Sequence, residues 1–92
     1  MEISKEDINV DADGYDGAWL DNKKHGYGRQ QYPAGSLYEG MFRKGLRHGE
    51  GKYTWSDGSY DGGWNRGKKD GYGYYVNEHG VRRKGFWANG QR

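Results

Sequence analysis

The chain has 92 residues, a net charge of +2, no cysteine, and 18 glycines against one proline. That length allows one domain with a modest core, and the lack of cysteine excludes disulfides and thiolate metal sites. The glycines argue against long helices, since each costs about 1 kcal/mol relative to alanine in a helix interior, and no apolar run approaches the roughly 18 residues of a membrane-spanning helix.

Aliphatic residues are scarce, but nine Tyr, four Trp and two Phe stand in for them. A large ring buries roughly 150–250 Å², so rings can supply the core. Residues 1–14 form an acidic N-terminal segment. "MEISKEDINV" has no apolar core and is not expected to be a signal peptide. Three readings of this segment are open. It is a degenerate capping strand, because a shift of 45 residues lays Tyr15 on Tyr60, Ile8 on Tyr53 and Val10 on Trp55. It is a short helix, with Ser4 to Asp7 as a capping box. Or it is a frayed terminus. The strand is preferred.

From residue 15 onward the chain repeats. Gly17, Gly40, Gly62 and Gly85 recur at intervals of 23, 22 and 23 residues, and Trp19, Phe42, Trp64 and Trp87 each follow by two. Tyr15, Tyr38 and Tyr60 precede the first three by two, and Arg83 takes that place in the fourth. A Gly-x-Gly follows in each unit, at Gly26 and Gly28, Gly49 and Gly51, and Gly71 and Gly73. The expected units are 15–37, 38–59 and 60–82, with a partial fourth at 83–92. Within each unit the period is two, the mark of strands. In "YEGMF", Tyr38, Gly40 and Phe42 point one way; in "GKYTW", Gly51, Tyr53 and Trp55 share a face. Gly45 and Gly49 are expected between the two strands, and Asn22 replaces the turn glycine in the first unit. The predicted fold is all-β: a single elongated, twisted antiparallel sheet of stacked hairpins. One face carries rings and the other Glu, Lys, Thr, Arg and Asp. The glycines leave recesses that neighbouring rings cover.

The stretches "YDGAWLDNKKHGYG", "YEGMFRKGLRHGEG" and "YDGGWNRGKKDGYG" resemble the MORN repeat (membrane occupation and recognition nexus). The likeness covers residues 15–92, and departs from the pattern at Asn22, Asp70 and Arg83. It implies an elongated, curved sheet of hairpins with no catalytic activity of its own. It further implies a docking surface of the sort found in cytoskeletal, ciliary and membrane-junction assemblies.

Two surfaces are candidates for contact. The first is the ring face: Tyr15, Trp19, Tyr32, Tyr38, Phe42, Tyr53, Trp55, Tyr60, Trp64, Tyr75 and Trp87. A single layer has no opposing layer, so part of this face stays uncovered and is expected to receive a helix or extended peptide of a partner protein. The second is a basic edge where the hairpin turns line up: Lys23, Lys24, Arg43, Lys44, Arg47, Arg66, Lys68 and Lys69. Residues 1–13 carry a net −4 and the remainder +6. The edge suits anionic lipid at roughly 1 kcal/mol per basic residue, or it is only a solvated margin. Nucleic acid is not expected, because no reading motif is present. His25 and His48 occupy matching positions that Asp70 fills in the third unit, which points to turn hydrogen bonding and not to a metal. No cofactor and no catalytic constellation are expected. The last strand offers an open edge for a further strand, with Arg82, Arg83 and Lys84 guarding it.

Overall fold

The computed structural model describes residues 9–10 and 14–91. Each hairpin begins from a two-residue turn. Asp21–Asn22, Lys44–Gly45, Arg66–Gly67 and Asn89–Gly90 all have φ between 51° and 86°. Positive φ at both central residues is the turn whose twist matches paired strands. The strands that flank these turns are β2 (Tyr15–Leu20), β3 (Lys23–Gln31), β4 (Leu37–Arg43), β5 (Leu46–Trp55), β6 (Gly58–Asn65), β7 (Lys68–Val76) and β8 (Arg82–Trp87). With the two-residue β1 (Asn9–Val10) they form one antiparallel sheet in sequence order. Among the described residues there is no helix. The extents, 40 × 24 × 16 Å, are those of a ribbon one layer thick.

The register lines up like residues across the whole ribbon. Gly17, Gly28, Gly40, Gly51, Gly62, Gly73 and Gly85 are successive cross-strand partners from β2 to β8. They make an unbroken stripe without side chains. Each unit's tyrosine lies across that stripe. A Cβ placed on Gly28 would sit 2.5 Å from the Tyr15 hydroxyl, and one on Gly73 would sit 2.5 Å from the Tyr60 ring. The hydroxyls of Tyr15, Tyr38 and Tyr60 donate to the carbonyls of Ala18, Met41 and Gly63 at 2.7, 2.8 and 3.1 Å. In the fourth unit, where Arg83 replaces tyrosine, the Trp87 indole covers Gly85 instead.

On the opposite face, Asp16, Arg29, Glu39, Lys52, Asp61, Tyr74 and Lys84 are successive partners, alternating in charge for five strands. Opposite charges directly across a ladder favour this register, and Arg29 and Glu39 approach to 3.5 Å. This face is not purely polar, as the sequence pattern suggests. Tyr27, Met41, Tyr72, Tyr74 and Phe86 are exposed, and Tyr72 stacks on its cross-strand partner Phe86 at 5.0 Å. Tyr27 and Tyr72 are the middle residues of Gly-x-Gly, which alternation turns away from the stripe.

Gly49 is not between strands. It lies inside β5 with φ 89°, as Gly26 and Gly71 lie inside β3 and β7. At these points the pairing shifts: Gly17 to Trp19 spans three residues, while its partner segment, Lys24 to Gly28, spans five. The same irregularity recurs in the second and third hairpins. Such bulges bend a strand and raise its twist. At the N-terminal end, Val10 pairs with Asp16. The 45-residue shift would set it against Asp13, by analogy with Trp55 and Gly58. The rest of the expected capping segment lies outside the described residues.

Candidate functional site

The rings form two tiers. The inner tier is a zigzag of edge-to-face contacts: Trp19–Tyr15 at 5.1 Å, Tyr15–Phe42 at 5.2 Å, Phe42–Tyr38 at 5.0 Å, Tyr38–Trp64 at 5.4 Å, Trp64–Tyr60 at 5.4 Å and Tyr60–Trp87 at 4.9 Å. Each tyrosine touches the aromatic residue of its own unit and that of the next. Tyr15, Tyr38 and Tyr60 are fully enclosed, and Phe42, Trp64 and Trp87 nearly so. These six are core. They shape the face from beneath and leave little surface to a partner, Trp64 alone of the six bordering the hollow, so the accessible contact set is smaller than the sequence suggests.

The outer tier is the accessible part. Tyr32 stacks on Tyr53 at 5.6 Å, Tyr53 meets Trp55 at 5.9 Å, Trp55 meets Tyr75 at 5.4 Å, and Tyr75 lies parallel to Trp87 at 6.4 Å. Trp19, Tyr32, Tyr53 and Trp55 are half-buried against the core, and Tyr75 is exposed. A hollow of about 460 Å³ opens among Arg47, Tyr53, Trp55, Trp64, Lys69 and Tyr75. All eleven ring residues named from the sequence fall in one connected network on one face.

The basic residues divide. Lys23, Arg43, Lys44, Arg66 and Lys68 are exposed along the margin of the hairpin turns. Lys24, Arg47 and Lys69 are not on that margin. They are cross-strand partners of Trp19, Phe42 and Trp64 and so share the ring face. Lys24 Nζ stands 5.3 Å from the Tyr15 ring centre. The Arg47 guanidinium lies 4.7 Å from the Trp64 ring and 5.3 Å from Tyr53. Lys69 Nζ lies 5.0 Å from Tyr60, 5.2 Å from Tyr75 and 5.5 Å from Trp55. A cation over a ring face at these distances is attracted by about 0.5–2 kcal/mol. The sequence pattern places Gly45 and Gly49 between the two strands; the two-residue turn instead starts β5 at Leu46 and sends every second residue beyond it back to the ring side.

Backbone bonds hold these cations in place. The turn glycines Gly45, Gly67 and Gly90 donate to the carbonyls of Lys24, Arg47 and Lys69 at 2.9, 2.8 and 2.8 Å. Each turn thereby clips onto the preceding unit at the residue that carries the cation. Arg47 Nη2 also donates to Gly67 O at 2.9 Å. Burial pushes the Lys69 ammonium below its ordinary pKa, and the charge of Arg47 adds to this. Burial raises the Tyr32, Tyr38 and Tyr60 hydroxyls, and Arg47 offsets part of the rise at Tyr32 and Tyr38. His48 Nδ1 accepts from the Arg66 backbone N–H at 3.4 Å, a bond from one turn region to the next.

Comparison with known proteins agrees with the repeat structure. The family model for the MORN repeat matches residues 15–37, 38–59 and 60–77. Alsin from Homo sapiens, Mus musculus and Pan troglodytes is 54% identical to the chain over 39 residues. That match covers 42% of the chain and 2% of alsin, so the likeness is to a short part of a much longer protein.

Proposed function

The chain belongs to the MORN-repeat family, and on that footing we propose that it is a non-catalytic adaptor that docks a helix or extended segment of a partner protein along its outer ring tier. Repeats of this family are interaction modules for proteins or membranes. The observation that carries the protein reading is the uncovered arc of Tyr32, Tyr53, Trp55 and Tyr75 around the hollow. Large rings with polar tips are the residues most used at protein interfaces, and here they stand on a rigid inner tier. The cytoskeletal or ciliary assembly that the family resemblance implies is the proposed setting.

Trp55→Ala and Tyr75→Ala remove groove surface without removing core. Affinity capture from the native cell at high salt recovers a partner with the parent chain, and each variant loses it while keeping its far-ultraviolet circular dichroism. Recovery unchanged in both folded variants refutes the groove.

The exposed margin of Lys23, Arg43, Lys44, Arg66 and Lys68 favours a second reading, a peripheral module on anionic phospholipid. That attachment collapses as ionic strength rises, whereas groove docking persists. Failure of anionic liposomes to sediment the chain at low salt removes the membrane reading.

A further inference from the structure

At the junction of the second and third units two cations and four rings line one hollow. Arg47 and Lys69 are half-buried, and among the described residues no carboxylate forms an ion pair with either. Of the acids of these units, Glu39 and Asp61 are in the charge row of the opposite face, and Glu50 and Asp70 act on the Tyr60 hydroxyl without an ion pair to either cation. Two like charges drawn together out of water cost free energy that an anion between them returns.

We propose that Arg47 and Lys69 form a carboxylate subsite within the ring face, taking one acidic side chain of a docked protein segment while its apolar neighbours lie on Trp55 and Tyr75. This rests on the groove reading above and adds the partner's chemistry to it. Three features carry the inference. Both residues are fixed at their backbones, by Gly67 N–H and Gly90 N–H on their carbonyls, and the guanidinium is held by Gly67 O. A guanidinium has five N–H donors, more than one carbonyl takes up, and it already stands over the Trp64 ring. The walls are aromatic: Tyr53, Trp55, Trp64 and Tyr75 surround the hollow. A lone phosphate uses the cations but not the rings, and an apolar helix uses the rings but leaves the cations buried and unmatched. An acidic residue flanked by apolar ones satisfies both. Among the described residues the subsite occurs once. In the first unit Gln30 stands at the register position that Tyr53 and Tyr75 fill, and Lys24 stands over the Tyr15 ring.

The test is selection of a library of short random peptides on the full chain, followed by affinity measurement. The selected peptides are expected to carry Asp or Glu beside Trp, Tyr, Phe or Leu. Changing that acid to its amide weakens binding to the parent chain by about tenfold or more, near 1.4 kcal/mol. The same change has little effect on an Arg47→Gln/Lys69→Gln variant. The acid-to-amide change sits in the peptide, so its effect on the parent chain does not depend on how the protein variant folds. Selected peptides that are neutral and indifferent to the Arg47→Gln/Lys69→Gln variant overturn the subsite and leave groove docking standing. A library that yields no binder overturns both. Vesicles containing phosphatidylserine, added as competitor, are expected to leave peptide binding unchanged. Vesicles that bind the chain through Arg47 and Lys69 overturn the subsite in favour of lipid.

Discussion

Tyr38 shows how one side chain serves core, sheet and site together. Its ring lies on Gly51, its edge meets Phe42 and Trp64, and its hydroxyl donates to Met41 O at 2.8 Å. Tyr38→Phe keeps the ring and leaves that carbonyl without its donor, so urea unfolding is expected to report a loss of about 1 kcal/mol. The buried hydroxyls also set an alkaline limit. Tyr32, Tyr38 and Tyr60 have folded pKa values above their ordinary 10.0, chiefly through burial. The unfolded chain therefore releases these protons at a lower pH than the folded chain does. The stability they provide is complete below pH 10 and falls as pH rises beyond it. Absorbance at alkaline pH is expected to show a late group of tyrosines whose ionisation coincides with loss of near-ultraviolet circular dichroism. Ionisation of every tyrosine with the fold intact contradicts this.

The element is the hairpin with its two-residue turn. The first turn has Asp21 at φ 51° and Asn22 at φ 64°, where the second and third have glycine in the latter place. Asn22→Gly relieves the left-handed strain and is expected to raise stability by about 0.5 kcal/mol, seen as a higher thermal midpoint. Much of the hairpin was legible from the sequence, because the two-residue period assigns faces before any register is known. The eleven rings and the glycine recesses follow from counting in twos from Tyr15, Tyr38 and Tyr60 in the first strand of each unit, from Gly28, Gly51 and Gly73 in the second, and from Gly85 to Trp87. The cations did not follow, because lysine and arginine between glycines read as turn. The signal was present nonetheless. Counting back in twos from Gly51 passes Gly49 and reaches Arg47, on the ring side. Tyr27 and Tyr72 of the opposite face were missed for the same reason, since Gly-Tyr-Gly reads as turn until its glycines are placed in a strand. The pairing shift beside Gly26, Gly49 and Gly71 had no signal beyond the glycines themselves, since a bulge is a relation between two strands.

The whole molecule is a single layer whose stability passes from unit to unit along the inner rings. Each edge-to-face contact contributes about 0.5–1.5 kcal/mol beyond the area it buries, and three of the six inner contacts join one unit to the next. Trp64 contacts Tyr38, Tyr53 and Tyr60 and donates from Nε1 to Gly51 O at 3.1 Å. Trp64→Ala removes the joint between the second and third units at a cost of about 3–5 kcal/mol. A chain this short has little more than that to lose, so circular dichroism at room temperature is expected to show a largely unfolded population. The ribbon depends most on tyrosine rings lying directly on the glycine stripe. Equilibrium urea unfolding of Gly51→Ala tests it through the sign of one number. Glycine to alanine inside an ordinary strand stabilises by about 0.5–1 kcal/mol. Here the added methyl meets the Tyr38 ring at under 3 Å, and the expected result is a loss of about 1–3 kcal/mol. A midpoint that stays level or moves to higher urea contradicts the account.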